Sequence, residues 1–199
     1  SEGIILIYSQ WLDSGLIPMA LALEEMGFTR AIGKSLFENP PAPQIDYSSM
    51  KSKEETETGT FSSAKYAFIT GDPRLSPNNV DEINLLTGEN NVNGKMAKVV
   101  LISKAASEGI DLKYIRQVHI LEPWYTMSRI EQIIGRAVRS FSHQKLPFEK
   151  RNVEIFLHGT MLKDKDVEAT DLYIYRLAEY KAKQIGEVTR VLKESAVDC

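Results

Sequence analysis

Five apolar runs of strand length are spaced along the chain, at 3–10, 65–71, 95–103, 116–122 and 151–160. Their aliphatic and aromatic residues are mostly continuous and do not alternate with polar ones. Continuous apolar runs are typical of parallel strands that helices cover on both faces. The pattern therefore predicts a mostly parallel sheet.

Stretches with the apolar spacing of helices separate or follow these runs, at 14–28, 76–86, 127–141 and 164–193. Strands that alternate with helices predict an α/β fold with helices on both faces of the sheet. No repeat or linker divides the chain, so we expect residues 1–199 to form one domain. Its last part, 161–199, is predicted to be a long C-terminal helix.

A polar segment, 39–63, interrupts this alternation. It is rich in Pro, Ser, Thr and Glu and has little periodicity. We interpret it as a surface insertion in which disorder or mobility is favoured over a functional role.

Composition limits the kinds of partner. The chain has 199 residues, 43% of them hydrophobic, and a formal net charge of −3. That charge argues against a protein that holds nucleic acid by bulk positive charge, so we expect any polyanion site to be local. A lone cysteine, Cys199, indicates a reducing, intracellular location, and no apolar run is long enough to predict a membrane span. Because the chain opens directly into a strand-like run, we expect it to be a fragment of a longer protein.

Small or polar residues stand at the ends of several predicted strands or soon after them. They are Ser9, Gln10, Thr70, Gly71, Ser103 and Ser107. Since the carboxyl ends of parallel strands meet at one edge of a sheet, these residues predict a polar rim at which a ligand binds.

The stretch QIIGRAVR, 132–139, carries the most specific chemistry. Arg136 and Arg139 are three residues apart and are predicted to share one helical face with Gln132, next to Gly135. Arginine binds phosphate oxygens bidentately and stays charged, so the pair suggests a phosphate site. The alternative is a solvated helix face whose arginines pair with Glu131 or Glu122.

The stretch SEGID, 107–111, is predicted to be a loop after a strand. Gly109 would let the backbone approach a ligand closely, and Asp111 could accept a hydrogen bond from a ribose hydroxyl or from an arginine. An ordinary loop with an aspartate cap is equally compatible with the sequence.

Other chemistry has little support. The three histidines lack metal-ligand spacing, and there is no GxxxxGK[ST] phosphate loop in the chain. His119 and His158 are expected in strands as core or edge residues. Trp11 and Trp124 could stack on bases, although packing is favoured for each.

Together these stretches resemble a known family. IILIYSQW, SKAASEGIDL and QIIGRAVR look like motifs IV, V and VI of superfamily 2 helicases, in the order found in their second RecA-like domain. The stretch 122–158 resembles more narrowly the helicases and transcription nucleoside triphosphatases of large cytoplasmic DNA viruses. That group includes poxvirus nucleoside triphosphate phosphohydrolase I, the poxvirus early transcription factor small subunit, and asfarvirus and giant-virus relatives.

The resemblance implies a RecA-like helicase C-terminal domain and specific roles for its residues. Arg139 would be the arginine finger on the γ-phosphate, and Arg136 would support it. The implied nucleotide-binding residues are Gln132, Gly109, Asp111 and Gly135. The implied contacts to the nucleic-acid backbone are Ser9, Gln10, Thr70, Gly71, Ser103 and Ser107. Ile133 departs from the family, since many helicases have another arginine there.

The resemblance also implies partners. ATP with Mg²⁺ would be held mainly by an N-terminal RecA-like domain, without which this chain would be inactive. Nucleic acid, that domain and viral transcription machinery are the expected partners, with no membrane. The expected location is the cytoplasm, a viral factory or a virion. Two alternatives remain: a non-catalytic platform for transcription proteins, and a small-molecule enzyme, which lacks a glycine-rich first loop here.

Overall fold

The described part of the chain forms a six-stranded sheet in which all hydrogen-bonded pairs are parallel. This computed structural model describes residues 3–56, 61–104, 110–163 and 167–197. The strands are β1 (Ile4–Tyr8), β2 (Thr29–Arg30), β3 (Lys65–Ile69), β4 (Val99–Ile102), β5 (Ile115–Ile120) and β6 (Glu154–Leu157). Their order across the sheet is β2-β3-β4-β1-β5-β6. The predicted α/β fold with a parallel sheet is confirmed.

Helices pack on both faces of this sheet. They are α1 (Ile17–Glu25), α2 (Asn79–Thr87), α3 (Met127–Ala137) and α4 (Thr170–Glu194), and a π-helical turn, Leu12–Leu16, precedes α1. Short 3-10 turns lie at Glu89–Asn91 and Phe148–Lys150. One core cluster joins α1 to Ile7 and Leu101, and the other joins α2 and α3 to Leu6 and Val118. Because alternate residues of a strand point to opposite faces, the continuous apolar runs supply both clusters.

The last strand differs from the expectation of a strand covered on both faces. All four residues of β6 are exposed, and β6 pairs only with β5, so it is an edge strand of the described sheet. The long helix α4 is also more exposed than its apolar stripe suggests. Within it only Ala178 is buried, whereas Ile185, Val188 and Leu192 are exposed.

The polar segment 39–63 is anchored at Asp46 over its described residues, 39–56 and 61–63. The buried Asp46 carboxylate accepts hydrogen bonds from the backbone N–H groups of Ser48, Ser49 and Ser62 and from two serine hydroxyls. Burial raises the pKa of Asp46, but the hydrogen bonds outweigh it and leave that pKa well below its usual range. A backbone bridge between Asp46 and Ser63 ties the segment to the start of β3. The segment lies on the surface, as predicted, and has a defined attachment there.

The predicted helix 127–141 is too long at its C-terminal end. Helix α3 ends at Ala137, and Val138 leaves the helical region with φ −102° and ψ 74°. The following turn holds Phe141 at φ 65°, and the Ser142 side chain donates to the carbonyl oxygen of Arg139 at 2.8 Å. Arg139 therefore does not share a helical face with Arg136, and that prediction was wrong. The local turn satisfies backbone groups that a longer helix would otherwise satisfy.

A buried carboxylate in α2 makes the stability of the domain depend on pH. Glu82 is 1% exposed, and neither of its carboxylate oxygens has a hydrogen-bond partner among the described residues. Burial raises the pKa of Glu82 to about 7 from its ordinary value of 4.5, although the charge of Arg30 opposes the shift. Between these two pH values the folded chain holds a proton that the unfolded chain has released. The free energy of unfolding therefore falls as pH rises through this window.

We expect Glu82→Gln to stabilise the domain more at pH 8 than at pH 5, because the amide never has to ionise in the core. The difference between the two pH values should be on the order of 2 kcal/mol. Urea unfolding of both proteins at each pH measures it, with the exposed Glu179→Gln on α4 as the control. An equal effect of Glu82→Gln at both pH values would show that Glu82 does not titrate in this window.

Candidate nucleotide and nucleic-acid site

The parallel topology brings the predicted polar rim to one edge of the sheet. β1 lies between β4 and β5, and the helices that follow β1 and β5 pack on opposite faces. Such a switch in the direction of the connections opens a crevice at the carboxyl ends of the strands, where ligands bind in open α/β sheets. Ser9, Thr70, Ser103 and Glu122 each follow one of four strands at this edge. The structure therefore gathers the residues that the sequence placed at separate strand ends.

Two of the predicted nucleic-acid contacts are used inside the domain. Ser9 is fully buried, and its hydroxyl donates to a Glu122 carboxylate oxygen at 3.1 Å. The Gln10 N–H donates to the same oxygen. Burial raises the pKa of Glu122, while these hydrogen bonds and the Arg129 charge oppose the shift. The Ser9 hydroxyl thus fixes the loop after β1, and only the Gln10 side chain lines an open cavity.

In the second pair, Thr70 and Gly71, one residue is again hydrogen-bonded inside the domain and the other lines a cavity. The buried Thr70 hydroxyl hydrogen-bonds to the Ser76 hydroxyl at 3.1 Å and to the Asp72 carbonyl oxygen at 3.2 Å. Gly71 is exposed and lines an open cavity of about 630 Å³ with Gln10 and Ser103. Thr70 shapes the turn, and Gly71 presents its backbone at the rim.

Ser103 differs from Ser9 and Thr70 in the hydrogen bonding of its hydroxyl. It is 3% exposed, and its Oγ has no hydrogen-bond partner within the described ranges. A buried hydroxyl without a partner is costly, so its place beside a cavity suits a contact completed by a ligand. Ser107 and Gly109 lie outside the described residues.

A polar cavity of about 200 Å³ lies between the ends of β1 and β4 and one face of α3. It is lined by Tyr8, Lys104, Ser128, Arg129, Gln132, Ile133 and Arg136. Arg136 donates to the Ile110 carbonyl oxygen at 3.4 Å, which leaves most of its guanidinium N–H groups for other acceptors. Among the residues that the structure describes, no acidic side chain lines this cavity, so the arrangement favours an anion.

The second arginine of the motif forms an ion pair at the same edge. Arg139 Nη1 lies 3.0 Å from Asp111 Oδ1, and both side chains are about half exposed. The sequence left open whether Asp111 meets a ribose hydroxyl or an arginine, and in this structure it meets the arginine. Neither Glu131 nor Glu122 pairs with Arg136 or Arg139 in the described chain, contrary to the alternative. Gly135 faces open space, since a Cβ built on it would have no atom within 4 Å.

Sequence reasoning missed Arg129. It lies one turn before Gln132 on α3 and packs over the Trp124 ring, with its Cζ 4.1 Å from the ring centroid. Packing is thus the role observed for Trp124, while Trp11 is 57% exposed. No signal in the sequence distinguished Arg129 from the other surface charges of an amphipathic helix. Only the folded chain shows that it lines the cavity.

The histidine pair lies away from this cavity, on β5 and just after β6. His119 Nδ1 and His158 Nε2 lie 2.9 Å apart, within hydrogen-bond distance, and Phe156 stacks on His119. Burial and the neighbouring His158 lower the pKa of His119. Among the residues that the structure describes, no three His, Cys, Asp or Glu side chains are grouped so that they could hold a metal ion.

No helix in the described ranges has both the length and the apolar character needed to cross a membrane.

This fold and rim define a class of domain. Residues 45–141 match the family model described as helicase conserved C-terminal domain. The chain therefore contains a helicase C-terminal domain, and its parallel sheet agrees with the RecA-like architecture.

Three similar proteins are viral. The chain is 33% identical over 176 residues, 83% of its length, to a "Termination factor NPH-I homolog" of African swine fever virus. It is 41% identical over 123 residues, 58% of its length, to a "Putative ATP-dependent RNA helicase" of Acanthamoeba polyphaga mimivirus. A "Putative helicase" of Invertebrate iridescent virus 3 is 28% identical over 206 residues and matches all of the chain. The chain spans 25%, 15% and 19% of these relatives, respectively.

Proposed function

We propose that this chain is the second motor domain of a nucleic-acid-dependent nucleoside triphosphatase of the superfamily 2 helicase type. A separate domain of the same protein would carry the phosphate loop and hold most of the ATP and its Mg²⁺. This chain would supply Arg139 and Arg136 to the nucleotide and its polar rim to the nucleic-acid backbone. Unwinding or translocation in viral transcription or genome processing is the activity that this arrangement would serve.

The observation that carries the proposal is the placement of the two arginines. Both lie at the carboxyl edge of the sheet: Arg136 lines the polar cavity, and Arg139 is half exposed and paired with Asp111. The fork of an arginine matches phosphate oxygens, so arginines at this edge are suited to the phosphates of a nucleotide.

Chemically, Arg139 would act on charge that develops during phosphoryl transfer. The transferred group spreads negative charge over oxygens that an arginine can reach. An arginine on a domain other than the one with the phosphate loop reaches those oxygens only when the cleft between the domains closes. Hydrolysis then becomes coupled to domain motion along the strand. Contacts to the backbone instead of the bases make such binding tolerant of sequence.

The isolated 199-residue chain should hydrolyse no ATP above background, with or without nucleic acid, because half of the cleft is absent. The full-length protein should hydrolyse ATP, and nucleic acid should stimulate it. A steady-state phosphate-release assay of the two proteins checks both statements. Robust turnover by the pure isolated chain would refute the proposal.

The exposed apolar residues of α4 support a second candidate, a non-catalytic platform for transcription proteins. Ile185, Val188 and Leu192 form an unpartnered stripe in the described chain. A platform of this kind hydrolyses no ATP even with both arginines in place, whereas the motor proposal requires ATP turnover that is largely lost when Arg136 and Arg139 are neutralised together.

A further inference from the structure

The polar cavity beside α3 has a basic residue that the family resemblance did not point to. Arg129, Gln132 and Arg136 lie at positions i, i+3 and i+7 of the helix and therefore share one face. This face closes the cavity of about 200 Å³ from one side. Tyr8 and Lys104 close it from the ends of β1 and β4.

The surroundings of Arg129 hold its guanidinium in place without neutralising it. Its Nη2 donates to the Tyr8 hydroxyl at 3.1 Å, and the plane of the Trp124 ring lies beneath it. The Glu122 carboxylate is near enough to interact with Arg129 but lies beyond ion-pair distance and accepts from Ser9 and Gln10. In the ranges described, no carboxylate oxygen lies within 4.0 Å of the Arg129 or Arg136 nitrogens.

Both arginines are partly buried and line one cavity, so two positive charges attract an anion that enters it. The cavity therefore favours an oxyanion that accepts hydrogen bonds from arginine. Arginine forks bind phosphate in this way, and stacking on an aromatic ring orients the fork before the phosphate arrives.

The position of Arg129 along the carboxyl edge of the sheet favours a phosphate of the nucleic-acid backbone over a phosphate of the nucleotide. Tyr8, its hydrogen-bond partner, directly precedes Ser9 and Gln10, and Lys104 directly follows Ser103. These are the segments that our proposed function assigns to nucleic acid. Arg139, the residue assigned to the nucleotide, lies just beyond the C-terminal end of α3 and pairs with Asp111.

We propose that Arg129 binds a phosphate of the nucleic-acid backbone in this cavity, as an additional arginine on the nucleic-acid side of the domain. The inference rests on the proposed function, since it requires that the full-length protein binds nucleic acid. Arg136, which lines the same cavity, then lies between the bound strand and the nucleotide.

Fluorescence anisotropy of a labelled oligothymidylate tests this with the full-length protein. Arg129→Gln should weaken binding about 10-fold and make the dependence of log K on log salt shallower by about one. Arg129→Lys keeps the charge but not the fork, so it should weaken binding less and keep most of the salt dependence. Arg190→Gln, an exposed arginine on α4 paired with Glu194, is the matched control and should change neither quantity.

Tyr8→Phe separates binding from structural support. It removes the hydrogen bond to Arg129 and keeps both the guanidinium and the aromatic ring, so most of the affinity should remain. Thermal unfolding of each variant verifies that it folds. If Tyr8→Phe and Arg129→Gln cause equal losses, Arg129 acts only through the β1 end and the inference is wrong.

Binding of a fluorescent ATP analogue identifies the source of the phosphate. We expect Arg129→Gln to lose more affinity for the oligonucleotide than for the analogue, and the reverse order would assign the phosphate to the nucleotide and overturn the inference. Wild-type affinity of Arg129→Gln for the oligonucleotide would also overturn it. A wild-type protein that binds no nucleic acid would instead overturn the proposed function, and this inference with it.

Discussion

Replacing Arg139 with alanine in the full-length protein should lower ATP turnover by about 10³- to 10⁵-fold, the range known for arginine fingers. The side chain is half exposed and projects from the carboxyl edge of the sheet, where a closing partner domain can reach it. Since an arginine finger acts mainly in the transition state, the affinity for ATP should change far less than the turnover. Single-turnover rates and equilibrium ATP binding, measured separately, test both parts.

Two variants make this result specific. Arg190→Gln removes an exposed arginine from α4 and should leave turnover unchanged. Arg139→Lys keeps the charge without the fork and should recover only a small part of the activity. An Arg139→Ala enzyme with the wild-type rate would refute the finger assignment.

Asp111 should act through Arg139. Its carboxylate holds one end of the guanidinium at 3.0 Å and leaves the remaining N–H groups for phosphate oxygens. Asp111→Asn should therefore lower turnover less than Arg139→Ala does. In the Arg139→Ala background, the same change should have little further effect, because the two residues work as a unit. Additive losses would indicate that Asp111 has a separate role, such as the ribose contact that the family resemblance implies.

Replacing Glu24 with alanine should lower the free energy of unfolding of the isolated chain by about 3–5 kcal/mol. The buried Glu24 carboxylate accepts from the backbone N–H groups of Leu36 and Phe37 at 2.8 and 2.9 Å, and from the Tyr66 hydroxyl at 2.5 Å. Alanine leaves three donors without a partner. It also removes the side-chain hydrogen bonds that join α1 to the loop at Leu36 and to strand β3.

Urea unfolding measures this effect, and the same helix offers its control. Glu25→Ala removes an exposed carboxylate one residue away and should change stability by less than about 0.5 kcal/mol. Tyr66→Phe removes one of the three donors and should cost about 1 kcal/mol. A Glu24→Ala variant as stable as Glu25→Ala would show that the three hydrogen bonds contribute little.

For helix α3, the sequence pattern predicted that a helix exists but not where it ends. Its apolar spacing predicted a helix correctly, because burial of Ile130 and Ile133 repeats with the helical period. The same spacing continued past the true end, since nothing in QIIGRAVR marks Val138 as the residue that leaves the helix. A turn closed by Ser142 ends it, and that contact belongs to residues beyond the periodic stretch.

The sequence by itself determined the parallel α/β sheet, the position of its long strands, and the edge at which the polar residues meet. These follow from continuous apolar runs and from the direction of parallel strands, which are properties of the chain itself. Only the tertiary structure decided that Asp111 pairs with Arg139, that Arg129 lies between Trp124 and Tyr8, and that β6 is exposed. These contacts join segments that are distant in sequence. Tertiary packing determines them, and the local periodicity of the sequence does not predict them.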